Sequence, residues 1–275
     1  MTVTGAVLWG VNGTVSKILM DSYRVDPTWV ACVREIVAGL LFLACAGVAT
    51  PKLLGGMLRE RKNYPMLVIV ALSSVLVIQV GYLQAIHWTN AGTATVLQSL
   101  SLLFVLLYVC VHGRRLPTVI ETIGVILAVI GTVLIATGGD LPGLAWGLAN
   151  ALGNAAMAII PLALIARWGA FSVNGVAFLI SGFVLVPFVR PWAHMPQLDA
   201  RGWLMLGFLV VIGTFAACGL YMGGVAIIGS MRGILIGTIE PVVATVTAVT
   251  WTGAAFSPAD LVGLVLIILM VFLVR

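Results

Sequence analysis

The sequence predicts an all-α polytopic membrane protein, with ten transmembrane helices in two inverted-topology repeats of five. Three observations predict it. Of 275 residues, 61% are hydrophobic and 8% charged, with a mean hydropathy of +1.18, whereas a soluble domain carries about a quarter charged residues to cover its surface. Apolar runs near the length of about 20 residues that crosses hydrocarbon follow one another from end to end, separated by short polar punctuation. Polar positions of the first half also recur in the second at a fixed offset.

The spans expected are Thr4 to Met20, Thr28 to Ala49, Met66 to His87, Gly92 to Val111, Thr118 to Gly138, Gly143 to Ile165, Val173 to Val189, Gly202 to Gly224, Gly233 to Trp251 and Ala259 to Val274. Between them lie breakers: Asp26-Pro27, Lys52 to Pro65, Thr89-Asn90, Leu116-Pro117, Gly138 to Pro142, Pro191 to Arg201 and Ser257-Pro258. The first run has no basic segment before it and is followed by further spans, so it is read as a retained helix and not a cleaved signal. With the N-terminus inside, cytoplasmic segments hold Lys52, Arg59, Arg61, Lys62, Arg114, Arg115, Arg167, Arg232 and Arg275, against Arg24, Arg190 and Arg201 outside. That bias places both termini in the cytoplasm, in the plasma or inner membrane. "RERK" at 59 to 62 reads as a topology anchor, with attraction to acidic lipid the alternative.

Shifting the chain by 139 residues pairs Tyr82 with Tyr221, Ser101 with Glu240 and Gly124 with Gly263. "LWGVN" at 8 to 12 and "AWGLAN" at 145 to 150 also share Trp-Gly followed by Asn. The unit is five helices, residues 1–138 and 139–275, and because five is odd the second copy enters the membrane upside down.

Polar faces run along several of these helices. At steps of three and four the ninth presents Gly233, Gly237, Glu240, Ala244, Thr247 and Trp251, and the fourth presents Ala94, Gln98, Ser101, Val105, Tyr108 and His112. The third adds Gln79 and Tyr82, the eighth Cys218 and Tyr221, the first Gly5, Trp9, Asn12 and Ser16, and the sixth Trp146, Asn150 and Asn154. Such faces line a cavity for a molecule with an apolar body and hydrogen-bonding groups, or else they are interhelical packing and hydrogen bonding. "GILIG" at 233 to 237 is a small-residue packing motif first.

Glu240 stands near the middle of its helix, where insertion of a charge costs about 2.5–3.5 kcal/mol. Pro241 removes a backbone hydrogen bond and kinks the helix beside it. Three roles stay open for the acid: binding a coupling proton, neutralising a cationic solute, or permanent structural pairing. Arg34 either faces the cavity and binds an anionic group or is snorkelled or paired internally, and Glu35, adjacent to it, diverges from its face. Lys17 and Glu121 lie near helix ends and are assigned no chemistry. Trp29, Trp88, Trp168, Trp192 and Trp203 read as interfacial anchors. Trp9, Trp146, Tyr82 and Tyr221 either pack the core or form, with Glu240, a cage for an organic ammonium.

Other classes are excluded by what the residues do not form. Cys32, Cys45, Cys110 and Cys218 are scattered through apolar runs and read as small buried residues, neither a metal site nor a disulfide framework. The net charge of +5 sits in short loops without aromatic interleaving, which argues against nucleic acid. There is no phosphate-binding Gly-rich loop for an ATP-driven engine, no catalytic constellation, and nothing that calls for a cofactor.

"WGVN" at 9 to 12, Tyr221, Glu240-Pro241 and the run Arg115-Leu116-Pro117 through Gly124, Leu127 and Gly131 resemble the drug/metabolite transporter superfamily, in particular its EamA-like branch. The chain departs from that pattern at Ser101-Leu102, where many relatives carry Glu-Pro, at Gly113-Arg114 and Gly253-Ala254 before the fifth and tenth helices, and at Met270. The resemblance implies secondary transport of a small organic solute by alternating access, through a cavity lined by the first, third, fourth, sixth, eighth and ninth helices. Its leading substrate class is amino acids and related metabolites, moved outward. The alternatives are import or exchange of a choline-like quaternary ammonium, and a non-transport lipid-handling or scaffold role.

Overall fold

Regular structure follows the punctuation closely. The computed structural model describes residues 1–136 and 141–274, and every regular element among them is helical. The chain runs through α1 (Thr2–Tyr23), α2 (Pro27–Ala49), α3 (Pro51–Arg59), α4 (Tyr64–Val70), a π-helical stretch at Ala71–Leu76 and α5 (Val77–Trp88). It continues through α6 (Ala91–Gln98), α7 (Ser101–His112), α8 (Val119–Ala136), α9 (Leu141–Ile159), α10 (Leu162–Trp168) and α11 (Ala170–Val189). The last elements are α12 (Ala200–Gly207), a second π-helical stretch at Phe208–Ala216, α13 (Ala217–Ile228), α14 (Ser230–Gly237), α15 (Ile239–Thr252) and α16 (Pro258–Leu273).

Breaker residues start these helices by a specific mechanism. The first N–H groups of a helix lack intrahelical acceptors, and a short polar side chain supplies one. Asp26 accepts from Trp29 N at 2.9 Å, Asn90 from Thr93 N at 2.9 Å and Asp199 from Gly202 N at 2.8 Å. Ser257 and Asp260 bond reciprocally as a capping box, with Pro258 at the first turn.

Seven helices among the described residues are long and apolar enough to cross a membrane, and an eighth is counted if α9 and α10, bent by 50°, form one span. The ten crossings read from sequence exceed this number for two reasons. α1 has 22 residues but mixes Thr, Asn, Ser and Lys17 with its apolar ones and is not apolar enough to be counted, and α16 has 16 residues, short of the usual span. The expected boundary between halves, at residues 138 and 139, lies outside the described residues.

Other expectations are corrected. The segment Lys52 to Pro65, expected as a loop, contains α3, whose Met57 packs with Leu67, Val70 and Trp168. Glu60 just beyond α3 accepts from Arg167 at the end of α10 at 2.6 Å, so this segment clasps a later helix. The expected spans 92–111, 143–165 and 233–251 are each interrupted, at Ser99-Leu100, Ile160-Pro161 and Thr238. Two of these interruptions have a proline cause: Pro161 disfavours helical geometry in Ile160, and Pro241 has no N–H to offer Gly237 four residues back.

The main contacts pair α2 with α11, α8 with α16, α5 with α9, and α1 with both α15 and α13. α8 and α16 cross at Gly131 and Gly263, where a Cβ on Gly131 would stand 2.8 Å from the Gly263 carbonyl oxygen. The backbones therefore touch, which only small residues allow. Phe42 anchors a second cluster with Leu83, Ile86 and Leu209, its ring 5.2 Å from that of Phe215.

Two outcomes test this packing. Gly131→Leu should destabilise the protein by about 1–3 kcal/mol through forced separation of α8 and α16, read by thermal unfolding in detergent, while Ile130→Leu on the exposed side of α8 should not. At the start of α12, Asp199 accepts from Tyr23 Oη at 2.5 Å. That bond, and then the Gly202 N–H, hold its carboxyl below the usual carboxylate range. A depressed carboxyl contributes stability that is present above its unfolded value, about 3.9, and is lost as pH falls through its folded value. Tyr23→Phe should therefore reduce the loss of melting temperature on acidification below about pH 4.

Candidate functional site

At the centre of the bundle is a cavity of about 190 Å³, bordered by Trp9 and Asn12 of α1, Arg34 and Phe42 of α2, Gln79 and Tyr82 of α5, Gln98 of α6, Asn154 of α9 and Glu240 of α15. Phe178 of α11, Gly213 and Thr214 of the second π-helical stretch, and Cys218 of α13 complete the wall. α2 and α11 thus join the helices expected from the sequence. Drug-sized ligands occupy sites of about 300–1,000 Å³, so this volume suits a solute smaller than those.

Several polar side chains of the wall are aimed by a neighbour on another helix. Asn12 Nδ2 donates to Gly213 O at 3.2 Å, which ties α1 to the π-helical stretch and turns the amide toward the cavity. Gly10, two residues earlier, lets α1 lie against α15 at the acid itself, since a Cβ there would stand 2.7 Å from the Glu240 carbonyl oxygen. That contact gives the Trp-Gly pair a physical reason. Arg34 is 2% exposed, and its guanidinium donates to Gln79 Oε1. Tyr82 Oη bonds Thr95 Oγ1 at 2.9 Å and stands within electrostatic reach of both Arg34 and Glu240.

Glu240 takes part in a relay of amides. Gln98 Nε2 donates to Glu240 Oε1 at 3.5 Å, Asn150 Nδ2 donates to Gln98 Oε1 at 3.2 Å, and Asn154 Nδ2 donates to Asn150 Oδ1 at 2.7 Å. Buried Asn150 does not itself border the cavity and holds Gln98 in line from behind. The acid is weakly held, because its one side-chain bond is long and its donor is neutral.

A second cavity of about 180 Å³ shares Gln98, Asn154 and Glu240 with the first and extends past Ser99, Ser101, Tyr221 and Thr238. Glu240 therefore stands at the boundary of two chambers. Ser101 belongs to this second chamber and not to the central one. Tyr221 does too, with its hydroxyl donating to Gly233 O at 3.0 Å and its ring 4.7 Å from that of Trp9. Trp146, expected in the cavity, is 38% exposed on α9 and borders neither chamber. Pro241 lies buried directly beside the acid, below the break at Thr238. Lys17 donates to His87 O at 2.9 Å, and Glu121 pairs with Arg115 at 2.7 Å, so both are occupied at helix ends.

Phe42, Phe178 and Thr214 border the cavity without having been singled out by the sequence, whereas Asn154 was read on the polar face of its helix. Asn154 had a signal, since it falls one helical turn after Asn150. Phe42 and Phe178 had none, because an aromatic residue in an apolar run reads as lipid-facing or core.

The model of the EamA-like transporter family matches this chain twice, over residues 1–137 and 141–275. An uncharacterized inner membrane transporter, YicL, of Salmonella typhimurium is 30% identical over 98% of this chain and 92% of its own length. YedA of Escherichia coli K12, another uncharacterized inner membrane transporter, is 24% identical over 98% of this chain and 87% of its own. A protein of known crystal structure, 17% identical, superposes with a TM-score of 0.62 over 98% of this chain and 95% of that one, a likeness of fold.

The Arg34 contact generates a test. Gln79→Leu deprives a buried guanidinium of its acceptor and should cost about 1.5–3 kcal/mol, as hydrogen bonds to charged groups do. Gln79→Glu, which keeps an acceptor, should cost less. Thermal unfolding of both variants in detergent measures the difference.

Proposed function

This chain belongs to the EamA-like transporter family, and we propose that it moves a small zwitterionic solute, an amino acid or related metabolite, out of the cell by alternating access. The observation that carries the reading is that a buried cation, Arg34, and a weakly held acid, Glu240, border one cavity of about 190 Å³. A solute with a carboxylate and an ammonium group matches that pair. Arg34 has donors beyond the one engaged by Gln79, since its Nε has no partner among the described residues, and a guanidinium forks onto a carboxylate. At the other end, an ammonium group replaces the long contact from Gln98 with charge-assisted bonds to Glu240. Trp9, Tyr82 and Phe178 supply apolar wall for the rest of the solute.

Alternating access is supported by internal correspondences. The 139-residue shift carries the first π-helical stretch into the second, and carries Ser99 of the first break onto Thr238 of the other. Exchanging the halves also maps helix contacts onto one another: α5 with α9 onto α13 with α1, α1 with α14 and α15 onto α9 with α6 and α7, and the pairs α2 with α11 and α8 with α16 onto themselves. A pseudo-symmetric pair of halves with one acid between two chambers is the arrangement in which rocking exposes a central site to each side in turn.

A second reading, a quaternary ammonium held by aromatic faces and Glu240, is favoured by Trp9, whose ring lies 4.7 Å from that of Tyr221 at a tilt of 41°, and by Tyr82 in the same cavity wall. Arg34 in the same cavity opposes it, because a fixed cation repels a lone cation.

Thermal stabilisation of the purified protein separates the two, since a ligand at one hundred times its dissociation constant adds about 2.7 kcal/mol. Among L-alanine, L-leucine and choline, an amino acid should stabilise the wild type, and its N-acetyl and methyl ester derivatives, each lacking one charge, should not. The effect should vanish in both Arg34→Gln and Glu240→Gln. Stabilisation by choline that disappears in Glu240→Gln and survives Arg34→Gln would replace the zwitterion by the cage. An amino-acid effect that persists in Arg34→Gln would sink the proposed pose.

A further inference from the structure

Outside both chambers, the described residues hold a buried carboxyl without a hydrogen-bond partner. Glu35 of α2 is fully buried, and neither of its oxygens makes a hydrogen bond to any described residue. It lies about 12 Å along α2 from Pro27 at 1.5 Å per residue, well inside an apolar span. Arg34 and Glu35 are adjacent and point about 100° apart on the helix. The first reaches the cavity, while the second is turned to α11, where a Cβ on Gly182 would stand 3.2 Å from Glu35 Cβ.

Little at this contact answers a negative charge. Ser181 of α11 lies beside the carboxyl, and its own hydroxyl has no partner of normal geometry. Cys32, one turn back on α2, spends its thiol on Gly182 O at 3.6 Å. α11 contains no acidic, basic, histidine, cysteine or tyrosine residue, and neither does the second π-helical stretch against α2. α5 brings Tyr82, committed to Thr95, and His87 at its far end. α3 brings Lys52 and Arg59, beyond the C-terminal end of α2. The cation facing this region is Arg34, and its guanidinium is engaged with Gln79.

We propose that Glu35 is a proton-binding site separate from the solute cavity, occupied in this conformation and emptied when α2 and α11 part. An ionised carboxylate with no donors is the costliest state available to a buried side chain, whereas a carboxylic acid beside a serine hydroxyl forms with no countercharge. A metal cation does not fit, because hard cations take six or more oxygens and two carboxylate oxygens with one hydroxyl fall short. When water enters the α2 and α11 contact, the O–H bond breaks, the proton passes to that water, and the electron pair stays on a carboxylate one residue from Arg34. The site thereby links proton occupancy to the helix that presents the cavity's cation. Proton occupancy at Glu35 does not depend on the solute assignment, whereas its emptying rests on the proposed movement of the halves.

The test uses no solute. The chain has four glutamates, of which Glu60 and Glu121 are paired with Arg167 and Arg115. The infrared difference between protein grown with ¹³C-glutamate and unlabelled protein therefore isolates protonated acid at Glu35 and Glu240. In Glu240→Gln at neutral pH, one protonated carboxyl band should remain, shift in heavy water, and disappear in the Glu35→Gln, Glu240→Gln double variant. Absence of the band in Glu240→Gln overturns the proposal, as does its survival in the double variant. If the double variant fails to fold, the presence or absence of the band in Glu240→Gln decides. A solute panel that fails while the band appears sinks the transport pose alone.

Discussion

The structure depends on one constraint: a charged or amide side chain placed in hydrocarbon must find a protein partner or stay neutral, because no water is there to supply one. Arg34 finds Gln79 across the gap between α2 and α5. Glu240 finds Gln98 of α6, which is in turn held by Asn150 of α9, itself bonded by Asn154. These contacts fix which helices are neighbours at the level of the cavity, and apolar packing above and below then fills the remaining space. Removing one member leaves another exposed to hydrocarbon, so the polar residues specify the arrangement even where their net energies are small.

The site is built where helices are irregular. The break at Ser99-Leu100 follows Gln98, the break at Thr238 precedes Glu240, and the π-helical stretch at Phe208–Ala216 contributes Gly213 and Thr214. Each irregularity exposes backbone carbonyls or rotates side chains out of the ordinary sequence of faces, which a continuous helix does not do. Membranes tolerate such backbone only when it is covered by protein or faces a cavity. The close glycine crossing of α8 with α16 is the opposite case: a tight contact away from the cavity that serves as frame for the rest.

Two carboxyls inside one membrane protein invite different chemistry from different surroundings. Glu240 meets amides and open volume, suited to a group that exchanges partners. Glu35 meets a serine and apolar walls, suited to a group that changes its own charge. α2 carries the second and, one residue away, the guanidinium of the first site, so movement of a single helix reaches both.

The sequence by itself determined the class, the helical elements and the identity of the central acid. These rest on local properties: hydropathy summed over a span, caps such as Asp26 and Ser257, and a carboxylate flagged by its cost in an apolar run. Trp9, Asn12, Gln79, Tyr82 and Gln98 were legible because polar residues at helical spacing mark a face. Only the tertiary structure decided that Trp146 stays outside, that Tyr221 and Ser101 serve the second chamber, that Arg34 pairs with Gln79, and that Phe42 and Phe178 close the wall. Those depend on rotation of each helix about its axis and on which helix stands opposite. A one-dimensional pattern leaves that rotation free until polar groups on other helices claim their partners.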